Sequence, residues 1–345
     1  MGLIYQNIDF HNVCDFLPDD GKPGKIWTRV PLDVKAQLEM GMSDMIAISA
    51  VTVELRFVLL GDRAVLHLAK QRPDDGYIHH VHVFYGGIQG GWSDHAISRC
   101  IEGDCGDIVI ERPKNIETLR KMSDLAQENF SPEVVRVIFD RGYYRYLGVD
   151  GDIRAPLPHE YPKETLLTYG SSITQGSNSI DSSHAWPSLL AKDLHMDLRN
   201  LAFAGSCAME DSIVDYLASE GEAQRWSMAV LELGINVLFW EESKIRKRVE
   251  NTIRQIAGRN PNKPVYVISP LFCEDDFHGG NQAQRWRDII KEIAYQLAYS
   301  NVIVIDGLEL LDNITLLSAD EVHPNIYGVA QIAERLIEKI RKDKI

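Results

Sequence analysis

The feature that most limits what this chain can fold into is a change of hydrophobic period near its midpoint. Between residues 43 and 149 the apolar residues come in short β-branched and aromatic runs, Val51–Leu59, Ala64–Leu68, His79–Tyr85, Asp107–Ile110 and Val134–Phe139, with clusters of Gly, Asp or Pro between them. That pattern describes the strands of an antiparallel sandwich. Only Pro113–Glu128 has helical spacing, and it reads as a connection over one end of the sandwich. From Tyr161 onward the rhythm differs: short apolar strands at Thr165–Tyr169, Leu198–Phe203, Met228–Leu233, Val265–Ser269 and Val302–Asp306 alternate with long helical patterns. The helices are expected near Ser183–Leu194, Met209–Ser219, Glu242–Gly258, Asn281–Ser300 and Asn325–Lys342. Strand and helix in alternation imply parallel strands joined by right-handed crossovers, hence a three-layer α/β sheet. The stretch 151–162 between the halves carries three prolines and reads as a linker. We therefore expect a jelly-roll-like β-sandwich domain over residues 1–155 and a three-layer α/β domain over 156–345.

A chain of 345 residues exceeds what one core usually serves, which agrees with two domains. The formal charge of −14 is shared, with 23 acids against 17 Lys+Arg through residue 155 and 27 against 19 beyond it. Neither half offers the positive footprint that displaces counterions from phosphates, so no nucleic acid partner is expected. No uninterrupted apolar run reaches the ~18 residues that a membrane-spanning helix needs, so no membrane partner is expected either. The first ten residues show no basic segment leading into an apolar run, and the five cysteines are odd in number and scattered. Both observations point to a cytoplasmic, reducing setting. Cys100 and Cys105 are the one close pair, without the second pair that a zinc motif requires.

Ligands of open parallel sheets bind beyond the carboxyl ends of the strands, so the residues delivered there matter most. The first strand delivers Gly170-Ser-Ser-Ile-Thr-Gln-Gly176, the second Ala204-Gly205-Ser206 and the third Gly234-Ile-Asn236. The loop before the last helix delivers Asp320-Glu-Val-His323-Pro324. These pieces suit one chemistry. A serine hydroxyl attacks well only when a base removes its proton, a histidine suits that task, and an aspartate three residues before it can hold the ring in the useful tautomer. A tetrahedral intermediate then needs donors for its oxyanion, for which a backbone N–H beside a glycine and a side-chain amide are apt.

In block order and strand context the four pieces resemble those of the SGNH, or GDSL-type, hydrolases, a family of esterases, lipases and carbohydrate deacetylases on a flavodoxin-like sheet. The resemblance covers roughly Lys163 to Arg341. It implies Ser172 as nucleophile, His323 with Asp320 as the base pair, and an oxyanion hole of the Ser172 N–H, the Gly205 N–H and Asn236. It implies no metal and no organic cofactor. Two positions depart from the family pattern: Ser171 stands where an aspartate is usual, leaving two adjacent serines, and Val237 rather than Asp follows Asn236.

Taken singly, each block has a plainer reading, such as a turn for Gly-Ser-Ser or a helix cap for Asp320. Ser171, Phe272 and His278 are candidate lining residues of the substrate pocket, the last two from the loop after the fourth strand. His79, His80 and His82 could ligate a metal, but a solvated or interface strand without one is the preferred reading because no nearby acid or cysteine completes a site. Cys207 reads as a core filler. The expected activity is hydrolysis of short acyl esters, acetyl above all, of a small molecule or carbohydrate. Sugar substrates rest on the analogy with carbohydrate esterases that carry a sandwich before the hydrolase domain. Acyl transfer by the same residues is one alternative and a non-catalytic carbohydrate-binding protein is another, while the first domain is also a candidate for homo-oligomer formation.

Overall fold

The computed structural model describes residues 2–343 apart from Pro73, residues 92–98 and Glu102. It divides into two compact units: Met1–Leu32 with Ala47–Lys163 and His195–Asp197, and Asp33–Ile46 with Glu164–Leu194 and Leu198–Ile345.

The first unit is built on a nine-stranded sheet whose described pairings are antiparallel. Its organising element is one long strand, Glu54–Lys70. The first half of that strand pairs with Ile8–His11 and Val134–Phe139, the second half with Cys105–Glu111 and Tyr144–Arg154. Leu55, Phe57 and Leu59 from the first half and Ala64, Leu66 and Leu68 from the second enter the same core, together with Phe10, Trp27 and Tyr144. A single strand thus feeds one core along both of its halves. The sequence suggests two strands here, broken at Gly61-Asp62. The chain instead runs through, because the neighbouring strand bulges between Gly151 and Ile153 and accommodates the bend without breaking the ladder. The helix expected at Pro113–Glu128 occupies Ile116–Ala126.

The second unit holds five parallel strands in the order Asp197–Asn200, Thr165–Tyr169, Met228–Glu232, Val265–Ile268, Val302–Ile305. Numbered along the chain this is 2-1-3-4-5, the flavodoxin-like arrangement. Burial is nearly continuous along the three central strands and falls off at the edge strand Val302–Ile305, as expected for a sheet covered on both faces. The crossovers are Trp186–Asp193, Asp211–Glu222, Glu242–Gly258 and Gln282–Leu297, and Ile326–Asp343 follows the last strand. The helix expected from Ser183 opens later because Pro187 takes its first turn and Asp181 caps a separate short turn at Ser182–His184.

The second unit also takes in residues 33–46, far from the rest of it in sequence. Both carboxylate oxygens of Glu39 accept from Arg248 Nη2 at 2.9 Å, and the Glu39 N–H donates to Glu210 Oε1 at 3.3 Å. Among the described residues no helix is long and apolar enough to cross a membrane.

Candidate active site

The strand Thr165–Tyr169 ends at Gly170, and a single helical turn, Ser172–Gln175, follows. Ser171 caps it, with its Oγ accepting from the Ile173 N–H at 3.1 Å. Ser172 is the first residue inside the turn, so its own N–H is one of the donors a helix start leaves over. Gly170 is required for a close approach: a β-carbon there would meet Thr174 Oγ1 at 2.3 Å and Glu232 Oε2 at 2.7 Å.

The late loop meets this turn. His323 Nε2 lies 2.7 Å from Ser172 Oγ, and His323 Nδ1 lies 2.9 Å from Asp320 Oδ2. The helix-cap reading of Asp320 also holds, through the other oxygen: Oδ1 accepts from the N–H groups of Val322 and His323 at 3.1 and 2.9 Å. Desolvation pushes the Asp320 carboxyl up, but those two N–H groups and the imidazole outweigh it and hold the carboxyl well below the usual carboxylate range. An ionised Asp320 accepts from Nδ1–H, which leaves Nε2 as the acceptor for the serine hydroxyl proton.

The Ala204 N–H donates to Gln175 Oε1 in the serine turn at 2.8 Å, and Asn236 Oδ1 accepts from the Cys207 N–H at 3.1 Å. The second bond ties the loops after the second and third strands together and leaves the Asn236 NH2 as a donor. Gly205 adopts φ +64°, a conformation that suits glycine, and its N–H, like that of Ser172, has no acceptor among the described residues. Ser172, His323 and Asp320 are joined by direct hydrogen bonds, while Gly205 and Asn236 are joined through Cys207. Together they can activate a hydroxyl and offer donors to a developing oxyanion.

The expectations for Ser171 and for the histidine cluster need correction. Ser171 does not line a pocket: it is fully buried, and its Oγ and N–H both donate to Glu232 Oε2 at 2.7 Å. Its hydroxyl is held in the turn, which also disqualifies it as a nucleophile. Phe272 is half-buried and stacked on Phe277, with centroids 6.0 Å apart. His278 is exposed, and its Nε2 lies 3.0 Å from Oε2 of Glu321, which is itself in the late loop between Asp320 and His323. Cys207 is a buried thiol pushed well up by desolvation and then by the Glu232 charge, as befits a core filler. The histidine cluster does have acids nearby, contrary to the linear reading: His79 lies 3.2 Å from Asp75 and His80 3.1 Å from Asp140. Each acid faces a different histidine, so the two contacts do not converge on one point. Among the described residues no group of three or more His, Cys, Asp or Glu is placed to hold a metal.

Two supporting residues escaped the sequence reading. Asn178 Nδ2 donates to Asp320 Oδ2 at 3.0 Å and to Ser318 Oγ at 2.8 Å, so the segment after the serine turn braces the aspartate. Nothing in the local sequence marks it. Glu232 accepts from Ser171 and, at 3.0 Å, from Thr174 Oγ1, and its other oxygen is buried without a hydrogen-bond partner among the described residues. Desolvation raises its carboxyl, with the Ser171 and Thr174 hydrogen bonds working against that rise. The available signal was a lone carboxylate inside the apolar run Met228–Leu233.

The fold has close counterparts. A salicylyl-acyltransferase from a tetracycline biosynthetic pathway superposes with a TM-score of 0.78 at 14% identity, covering 100% of this chain and 97% of that one. A putative GDSL-like lipase from Bacteroides ovatus matches with a TM-score of 0.66 at 17% identity over 91% of both chains. A family two carbohydrate esterase from Clostridium thermocellum matches with a TM-score of 0.58 at 15% identity, covering 86% of this chain and 93% of that one. No curated protein matches by sequence. The family model of the GDSL-like lipases and acylhydrolases matches residues 163–341, which contain the serine turn, both oxyanion-side loops and the late Asp-x-x-His segment. The chain belongs to that GDSL-like lipase/acylhydrolase family and is an SGNH-type ester hydrolase.

Proposed function

We propose that this protein is a serine esterase that removes short acyl groups, acetyl above all, from a small-molecule or carbohydrate ester through an acyl-enzyme on Ser172. The observation that carries the reading is the unbroken chain of contacts from Ser172 Oγ to His323 Nε2 and from His323 Nδ1 to Asp320. Ser172 Oγ attacks the ester carbonyl carbon as Nε2 takes its proton, and the Asp320 carboxylate stabilises the imidazolium. The N–H groups of Ser172 and Gly205 and the Asn236 amide receive the oxyanion, each donor contributing ~3 kcal/mol at the transition state. The imidazolium returns its proton to the departing alkoxy oxygen. Water then repeats the sequence on the acyl-enzyme and frees the acid.

Acyl transfer to an alcohol instead of water is a second reading. It is favoured by the likeness, over the whole length of this chain, to a salicylyl-acyltransferase. Sugar esters are favoured by the likeness to carbohydrate esterases. The test is hydrolysis of p-nitrophenyl acetate, alongside a panel of acetylated sugars and competing alcohols. Ser172→Ala is expected to lower turnover at least ~100-fold, and full activity in that variant would overturn the assignment. A transferred ester as main product in the presence of alcohol would favour the second reading.

A further inference from the structure

The segment 33–46 comes from outside the region that the family model matches, yet it reaches the oxyanion side of the site. A side-chain carbon placed on Gly205 would lie 3.3 Å from Met42 Sδ and 3.9 Å from Met42 Cε. Beyond its chain neighbours, no other described atom would come within 4 Å. Met42 is thus the side chain laid over the glycine whose N–H is offered to the oxyanion.

Its backbone is held in place. The N–H groups of Met45 and Ile46 donate to the Met42 carbonyl at 3.1 and 3.0 Å, and Val34, Ser43 and Ile46 are buried. Lys35 pairs with Asp44 within the segment, and Glu39 is fastened to Arg248. Met42 itself is 51% exposed, so its thioether is held over the glycine without being locked into a core. On the neighbouring loop Phe239, three residues beyond Asn236, is 75% exposed.

In the tetrahedral intermediate the oxyanion faces Gly205 and Asn236, and the alkoxy oxygen faces the His323 nitrogen that protonates it. The acyl substituent takes the remaining direction. We propose that Met42 closes the acyl side of the site and limits the acyl group to a short chain, a role that rests on the esterase reading above. An acetyl methyl fits beneath the thioether, whereas a chain several carbons longer has to displace it.

The test compares p-nitrophenyl acetate, butanoate and hexanoate with wild type, Met42→Ala and Met42→Trp, reading ratios of kcat/KM within each variant. Met42→Ala is expected to raise the hexanoate-to-acetate ratio about tenfold, the scale on which a pocket senses one or two methylenes. Met42→Trp is expected to lower the butanoate-to-acetate ratio about fivefold. A second series of acetate esters with lengthening alcohols is expected to show no such change. Unmoved ratios in both variants, a fall in the Met42→Ala ratio, or a shift that follows the alcohol would each overturn the proposal. Ser172→Ala separates the two layers: if it abolishes turnover while the Met42 ratios stay put, this inference fails alone. If it leaves turnover intact, the esterase reading fails with it.

Discussion

Each unit buries a glutamate at the heart of a sheet, and the two are treated in opposite ways. In the first unit Glu54 accepts from Arg56 at 2.8 Å and bidentately from Arg136 at 2.7 Å, and Arg56 continues bidentately to Asp197 at 2.8 and 2.7 Å. Burial would raise Glu54, but the two guanidinium groups overcome it and hold the carboxyl far below its ordinary range. Asp197, opposed by desolvation and favoured chiefly by Arg56, is held down at about 2. In the second unit Glu232 is 1% exposed and meets only hydroxyl and N–H donors, all on one oxygen, with the other oxygen unpartnered among the described residues. Its carboxyl is raised, by desolvation. A buried charge without a counter-ion is costly. The contrast teaches that the first network holds a fold together, whereas Glu232 aims a turn, since every donor it receives comes from the residues flanking Ser172.

The largest break in this comparison is Arg56→Met, which leaves Glu54 and Asp197 buried against a single remaining guanidinium. It is expected to destabilise the first unit by ~3–5 kcal/mol, seen as a lower urea midpoint. Acid sharpens the same point. Asp197 has a depressed folded value, so its contribution is fully present above the ordinary carboxylate value of 3.8 and is lost as pH falls through about 2. Roughly 2 kcal/mol should disappear over that window in wild type, as read by denaturant titrations at stepped pH. A flat profile would show that the network does not act as a coupled set of charges.

The smallest effect is expected from Glu232→Gln, which keeps the shape and an oxygen toward the donors but replaces the charge-bearing acceptor of three hydrogen bonds with a weaker amide oxygen. It should lower kcat about ten- to thirtyfold, equivalent to ~1–2 kcal/mol. KM should move less than about threefold, and the urea midpoint should change little. A large loss of stability with kcat per folded molecule unchanged would make Glu232 a structural group like Glu54 and erase the distinction.

The two architectures were legible because period is a local property: alternation along Val51–Leu59 and strand–helix repetition after Tyr161 survive in any fold that buries them. The bend through Gly61-Asp62 was not, because whether such a pair breaks a strand depends on the partner that bulges to meet it. At the site, the meeting of Ser172, His323 and Asp320 could be anticipated because each stands at a strand end or in a short loop with a chemically telling neighbour. Ser171 was misjudged, since its role depends on Glu232, 61 residues away.

By itself the sequence determined the strand–helix alternation after Tyr161, the parallel sheet and the residue types that reach its carboxyl end, because hydrophobic period and turn chemistry are written locally. Only the tertiary structure decided which hydroxyl faces the imidazole, that Asn178 braces Asp320 and that Met42 lies over Gly205. Those relations join groups up to 163 positions apart in the chain, and no local preference encodes a distance that exists only once the sheet has closed.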